Sequence, residues 1–215
     1  MKRELKLNIM VSAIVILAVA IDQALKLYVR THFALGESHE ITSWFYLCYI
    51  ENDGMAFGIE WFSKLLLTLF RIAAVAVLGW YTHRLIYNPT AEGDPSAQRS
   101  NSPKDGLAAR SAVATRTSYL VMVALVIAGA LGNIIDCVFY GKLFGYAGWF
   151  YGKVVDMFYF PLITNSAGEC IFFRPVFNFA DSCITVAVIC IIIWFRKDLD
   201  TSLRKPKQTE LSEKQ

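Results

Sequence analysis

Long apolar stretches alternate along this chain with short polar and aromatic ones. Leu7 to Ile21 carries no charge, and the apolar character resumes after it through Val29. A helix there, rising about 1.5 Å per residue, crosses the roughly 30 Å of bilayer hydrocarbon. A second run covers about 63–86 and is interrupted by Arg71. A third covers about 118–138, with Ser118 to Ile135 its cleanest part. The fourth covers about 176–195, with Asp181 as its only charge. The pattern predicts a mostly α membrane protein with four transmembrane helices in one domain, residues 1–215. The first run lacks a small-residue cleavage site at its end, so it reads as a retained span rather than a targeting segment.

The stretches between the runs differ in kind. Asn88 to Arg116 holds Pro89, Gly93, Pro95, Pro103 and Gly106 among Ser, Ala and charged residues, and reads as a flexible linker. The tail, about 198–215, is polar and reads as mobile. The segment from His32 to Glu60 contains Ile41-Thr42-Ser43-Trp44-Phe45-Tyr46-Leu47-Cys48-Tyr49-Ile50. β-branched and aromatic residues at this density favour short strands. The run then meets Asn52-Asp53-Gly54, a turn signal. A small extracytoplasmic sheet is expected there, with Trp44, Phe45, Tyr46 and Trp61 at headgroup level. The segment Phe139 to Pro175 is also aromatic-rich, and its glycines permit tight turns.

Composition agrees with a membrane reading. The chain is 55% hydrophobic and 18% charged, with mean hydropathy +0.42, against about a quarter charged for soluble domains. The net charge of +3 is spread over patches, so no nucleic-acid footprint is present. Basic residues gather at the N-terminus (Lys2, Arg3, Lys6), in the linker (Arg84, Arg99, Lys104, Arg110, Arg116) and in the tail (Arg196, Lys197, Arg204, Lys205, Lys207, Lys214). The positive-inside rule then makes both termini cytoplasmic. Of the five cysteines, none forms a CxxC pair or lies at ligand spacing from a histidine, so no metal site is expected. They read as buried thiols, with a Cys48–Cys170 disulfide as the alternative in an oxidising compartment.

The orientation collects the polar residues at one depth. Asp22 and Lys26, four residues apart, lie at the outer end of span one. Asn133 and Asp136 close span three, Asn178 and Asp181 open span four, and Asn52 and Asp156 lie in outer segments. Ionised carboxylates among apolar residues are costly unless used. Asp156 and Asp181 can share one proton and activate water without a metal. Bland readings stand beside this one. Asp22–Lys26 serves equally as a structural ion pair, Asn52 and Gly54 as a turn, and Asn133 and Asp136 as a helix end. Arg71 reads as snorkelling toward phosphate headgroups on the face of Lys64.

In order along the chain, Asp22-Gln23-Ala24-Leu25-Lys26, Asn52-Asp53-Gly54-Met55-Ala56-Phe57, Gly129-Ala130-Leu131-Gly132-Asn133-Ile134-Ile135-Asp136, Val154-Val155-Asp156 and Phe177-Asn178-Phe179-Ala180-Asp181 resemble the five motifs of lipoprotein signal peptidase (signal peptidase II), a bacterial inner-membrane aspartic protease family. The resemblance implies a four-helix bundle with a small periplasmic β-cradle. It implies Asp156 and Asp181 as the catalytic pair. Asp22, Lys26, Asn52, Gly54, Gly129, Asn133, Asp136 and Asn178 would shape or support the substrate site. The implied substrate is a diacylglyceryl-modified prolipoprotein, cut before its lipidated cysteine. Membrane phospholipids surround such an enzyme, and cyclic-peptide antibiotics such as globomycin inhibit it; no cofactor is implied. One bundle suffices for the site, so a monomer is expected. Two departures stand out. The family usually carries Arg after the third-motif Asp, where this chain has Cys137. Lys142, Lys153 and Arg174 are the candidate replacements. The outer stretch between Asp136 and Asp181 is also longer than usual. Rival readings are a small transporter, for which buried charges are the signal, and a lipoprotein chaperone that binds without cutting.

Overall fold

The computed structural model describes residues 2–53, 60–87, 103–164, 170–172, 175–196 and 199–200. Gly54 and Arg174 lie outside the described residues, as do 88–102 of the expected linker and 201–215 of the tail. The first helix, α1, runs Arg3–His32, followed by strands β1 (Ser38–Thr42) and β2 (Phe45–Asn52). Helices α2 (Glu60–Tyr87) and α3 (Pro103–Ile135) follow. A π-helical turn (Asp136–Tyr140) and a short helix α4 (Gly141–Leu143) then extend α3. Strands β3 (Val154–Tyr159), β4 (Ile163–Thr164), β5 (Cys170–Phe172) and β6 (Val176–Phe177) lead to the last helix, α5 (Phe179–Trp194).

Among the described residues, three stretches are long and apolar enough to cross a bilayer: Arg3–His32, Lys64–Tyr87 and Thr115–Leu143, with mean hydropathies of 2.1, 1.8 and 2.2. Helix α5 is apolar but has only 16 residues. Large apolar side chains such as Ile16, Phe70, Trp80 and Ile193 point outward. In water this would be an aggregation surface; in hydrocarbon it costs nothing. Helix α3 is the hub, and α1, α2 and α5 all pack on it. Along α1 the buried residues are Val11, Ala18, Asp22, Lys26 and Val29, a stripe at helical spacing that turns inward. Val11, Ile86, Leu120 and Ala124 form one packed layer. Val29, Tyr49, Tyr140, Val155 and Met157 form another beneath the sheet.

The sheet has the order β1-β2-β3-β6 and is antiparallel throughout. The expected strands at 32–60 are therefore present; the second outer segment adds β3, and the residues expected to open the fourth span add β6. In β2–β3, Ile50 faces Asp156 and Asn52 faces Val154. The extra length before α5 forms a separate hairpin, β4–β5. Between α4 and β3 the chain folds back onto the π-helical turn, where the Gly152 N–H donates to Cys137 O at 2.8 Å and the Phe150 N–H to Val138 O at 3.1 Å. A side chain at Gly152 would overlap the Asp136 carbonyl. This close approach delivers β3, and with it Asp156, to the outer end of α3.

Two expectations are corrected. The fourth span does not begin at 176, because Val176 and Phe177 pair with Tyr159 and Phe158 in the sheet, and the helix starts only after the Asn178 cap. The second half of the linker, from Pro103, is helical. Pro suits a first helical turn, and the alanines that follow are strong helix formers. Of the two cysteine readings, the buried thiol holds for Cys48 and the disulfide alternative does not. Cys48 is a buried free thiol whose sulfur lies 3.1 Å from the Ser38 hydroxyl.

Candidate active site

Helix α5 begins where the chemistry begins. Asn178, extended at φ −116°, caps it: the Asn178 side-chain oxygen accepts the Asp181 N–H at 3.0 Å. The Asp181 carboxylate reaches back toward the Asn178 N–H at 3.4 Å. This reciprocal capping box fixes both side chains at once. The amide NH2 of the fully buried Asn178 then donates to Asp156 Oδ1 at 2.7 Å. One asparagine thus joins Asp156 on β3 to Asp181 on α5.

A second asparagine closes the ring. Asn133, buried on α3, donates to Asp181 Oδ1 at 2.8 Å, and its own Oδ1 accepts from Asn178 at 3.2 Å. From the sheet, Asn52 donates to Asp156 Oδ2 at 2.9 Å. Burial pushes the Asp156 carboxyl up to about 6. The Asn52 and Asn178 hydrogen bonds act against this rise, and the Asp181 charge adds to it. Asp156 borders an open cleft of about 380 Å³ lined by Ile50, Glu51, Asn52, Asp53, Asp156 and Val176. A buried carboxyl that resists ionisation therefore opens onto space large enough for a peptide strand.

Behind this ring lies a sealed ion cluster. Lys26 sits 2.8 Å from Asp22 and 2.7 Å from Asp136, all three side chains at most 1% exposed. Lys26 also donates to Asn133 Oδ1 at 2.9 Å, which couples the cluster to the ring. Asp22 accepts the Ala180 N–H at 3.0 Å, in the first turn of α5. Asp136 accepts the Val155 N–H at 3.3 Å, next to Asp156. The cluster therefore locks α1, α3, α5 and β3 at one corner. The glycines of α3 make the approach possible. A Cβ on Gly129 would collide with the Ala180 carbonyl, and one on Gly132 would lie 2.5 Å from Asp22 Oδ2. Small residues at such crossings let membrane helices come close.

Of the expected site residues, Asp156, Asp181, Asn52, Asn133 and Asn178 form the ring. Asp22, Lys26 and Asp136 support it from behind, and Gly129 clears the α3–α5 crossing. Several contributors were not anticipated. Gln23 donates to Asp136 at 2.9 Å and to Gly132 O at 3.2 Å, and accepts from the Tyr140 hydroxyl at 3.0 Å. A glutamine inside an apolar run was the available signal. Outside the ring, Glu51 pairs with Arg30 at 2.5 Å, and Lys153 approaches both Glu51 and Asp53 at 3.6 and 3.7 Å. Lys64 is buried and pairs with Asp53 at 2.6 Å. Arg71, expected to snorkel, instead donates to Cys137 Sγ at 3.1 Å. A protein acceptor within reach outcompetes the distant headgroups for both cations. Lys153, one proposed replacement for the family Arg, is engaged with Glu51 and Asp53, and the cation beside Cys137 is Arg71.

The family model described as signal peptidase (SPase) II matches residues 14–93 and 107–197. A lipoprotein signal peptidase of Porphyromonas gingivalis is 36% identical over 217 aligned positions, covering 90% of this chain and 85% of that protein. One from Amoebophilus asiaticus is 34% identical, covering 93% and 83%. A bacterial membrane enzyme solved by the in meso method at 1.9 Å resolution superposes with a TM-score of 0.58 at 25% identity, covering 88% of this chain and 94% of that one.

Proposed function

The chain belongs to the signal peptidase II family, and on that premise we propose that it is an aspartic endopeptidase of the bacterial inner membrane. It removes the signal peptide from diacylglyceryl-modified prolipoproteins, cutting before the lipidated cysteine. Asp156 and Asp181 are the catalytic pair. The site faces the periplasm, and both termini lie in the cytoplasm. The observation that carries the reading is Asn178, which holds one carboxylate through its amide NH2 and the other through the capping box.

Signal helix and acyl chains keep such a substrate in the bilayer, so its scissile bond waits near the outer hydrocarbon boundary. In the resting pair one carboxyl is protonated and one ionised, because two close carboxylates do not both hold charge cheaply. The ionised member takes a proton from water, and that water attacks the scissile carbonyl. The protonated member donates to the developing oxyanion. Collapse of the tetrahedral intermediate breaks the C–N bond, and the leaving amine takes a proton from the pair. No step requires a metal. Asn52, Asn133 and Asn178 hold the two carboxylates in register, in a site dry enough for each hydrogen bond to count.

The test is Asp156→Asn and Asp181→Asn, each made separately and checked for membrane insertion. Both are expected to accumulate uncleaved, diacylated prolipoprotein in cells and to leave labelled substrate intact when purified. Near-normal processing by either variant would overturn the assignment. Retained substrate binding by the wild type without any cleavage would favour the chaperone reading.

A further inference from the structure

Among the described residues, three buried or half-buried cations of the helices around the site are neutralised by carboxylates. Lys26 has Asp22 and Asp136, Lys64 has Asp53, and Arg30 has Glu51. Arg71 has none among the described residues. It lies seven positions beyond Lys64 on α2, inside the apolar stretch Lys64–Tyr87. Its one hydrogen bond among the described residues goes to the Cys137 sulfur, and a thiol is a weak acceptor. A guanidinium carries five N–H donors in a planar fork. Hydrocarbon offers nothing to receive the others, and an ionised group at that depth marks a functional contact. The side chain is only half-buried, so the remaining donors are not sealed in protein.

The location gives those donors a use. Cys137 follows Asp136, whose carboxylate accepts the backbone N–H beside Asp156, and Cys137 O also holds the Gly152 N–H. The guanidinium is therefore tethered one residue from the cluster that positions β3. Its hydrogen bond turns it toward the end of α3 that carries the Lys26 cluster. We propose that Arg71 is a substrate-positioning residue: its free fork receives a carbonyl oxygen of the lipidated substrate, from the peptide main chain or an acyl ester. Cys137 aims the fork without neutralising it. A carboxylate there would consume the donors and remove the reason for a cation.

This inference rests on the peptidase reading above. Wild-type turnover tests that reading, and the variant-to-wild-type ratio tests this one. Arg71→Ala is assayed in maltoside micelles with a diacylglyceryl prolipoprotein peptide. The expected result is a KM about 10- to 100-fold higher, the worth of a hydrogen bond to a charged group, with kcat within about threefold. Arg71→Lys is expected to recover only part of this, because an ammonium keeps the charge but not the fork. Should the alanine variant fail to fold, the lysine variant carries the same KM test. A substrate with ether-linked chains lacks the ester carbonyls. Loss of the Arg71→Ala penalty on that substrate assigns the ester as acceptor, and its persistence assigns the peptide carbonyl. An unchanged KM in a folded variant overturns the proposal. So does a penalty seen only in anionic phospholipid bilayers, which would make the partner a headgroup phosphate.

Discussion

Two pairs of carboxylates lie side by side in this bundle and are handled in opposite ways. Asp22 and Asp136 are bridged by an ammonium, with Lys26 within 2.8 Å of each. Asp156 and Asp181 are bridged by amides, through Asn178 and Asn133. A lysine supplies a full positive charge between the two carboxylates of a sealed site and offsets their mutual repulsion. An asparagine supplies direction without charge, so the repulsion between the partners remains and is relieved by holding a proton. The first arrangement makes a joint, and the second makes a group that takes up and gives back protons near neutrality. Asn133 touches both, accepting from Lys26 while donating to Asp181. The joint therefore sets the aim of the pair proposed as catalytic.

The comparison can be broken from either end. The largest effect is expected from Lys26→Met, which leaves two buried carboxylates without their cation. A stability loss of about 3–5 kcal/mol follows, read as a collapse of the melting temperature in detergent; a stable variant would mean the joint is not electrostatic. Asp156→Asn should do the reverse, removing activity while keeping the fold. It should also remove a pH dependence of stability. The Asp156 carboxyl is raised from 3.8 to about 6 by burial, so its stabilising contribution is complete below about 3.8 and lost as pH rises through about 6. Asn133→Ala cuts the link between joint and pair. It is expected to lower kcat on the order of 10- to 100-fold, with the melting temperature moved far less than by Lys26→Met. Activity equal to wild type would make Asn133 a spectator.

Asn52→Ala gives a smaller and more diagnostic change. Its hydrogen bond favours ionised Asp156, so removing it holds the proton to higher pH. The alkaline limb of kcat/KM should move upward, and a fixed limb would assign that titration to another group. Lys153→Ala is the smallest. Its two ion pairs are long and partly exposed, so no more than about 1 kcal/mol is at stake.

Much of the bundle is legible in the chain because hydrocarbon is an unforgiving solvent. A span must be apolar for its whole length, and a charge such as Asp181 that interrupts one is conspicuous. The β1–β2 hairpin announced itself through β-branched and aromatic residues before a turn. Other features had no local signature. Val176 and Phe177 continue the apolar run of α5 without a break, and apolarity alone does not separate strand from helix. Spacing put Arg71 and Lys64 on one helix face, but a face does not name a partner. Cys137 and Asp53 come from elsewhere in the chain, and only folding brings them near. Gln23 stood between two anticipated residues and was eclipsed by their charges.

The shortness of α5 has a mechanical consequence. Sixteen residues rise only about 24 Å, less than the roughly 30 Å of hydrocarbon around them. If Trp194 and Arg196 mark the inner boundary, the Asn178 end is submerged below the outer one. A short span relieves hydrophobic mismatch partly by thinning the bilayer beside it. Water and headgroups are then drawn down toward Asp181, and so toward a scissile bond held near the outer hydrocarbon boundary. Cleavage should accordingly respond to the acyl length of the surrounding lipid as well as to the sequence being cut. The bilayer then acts as a component of the active site whose thickness can be varied.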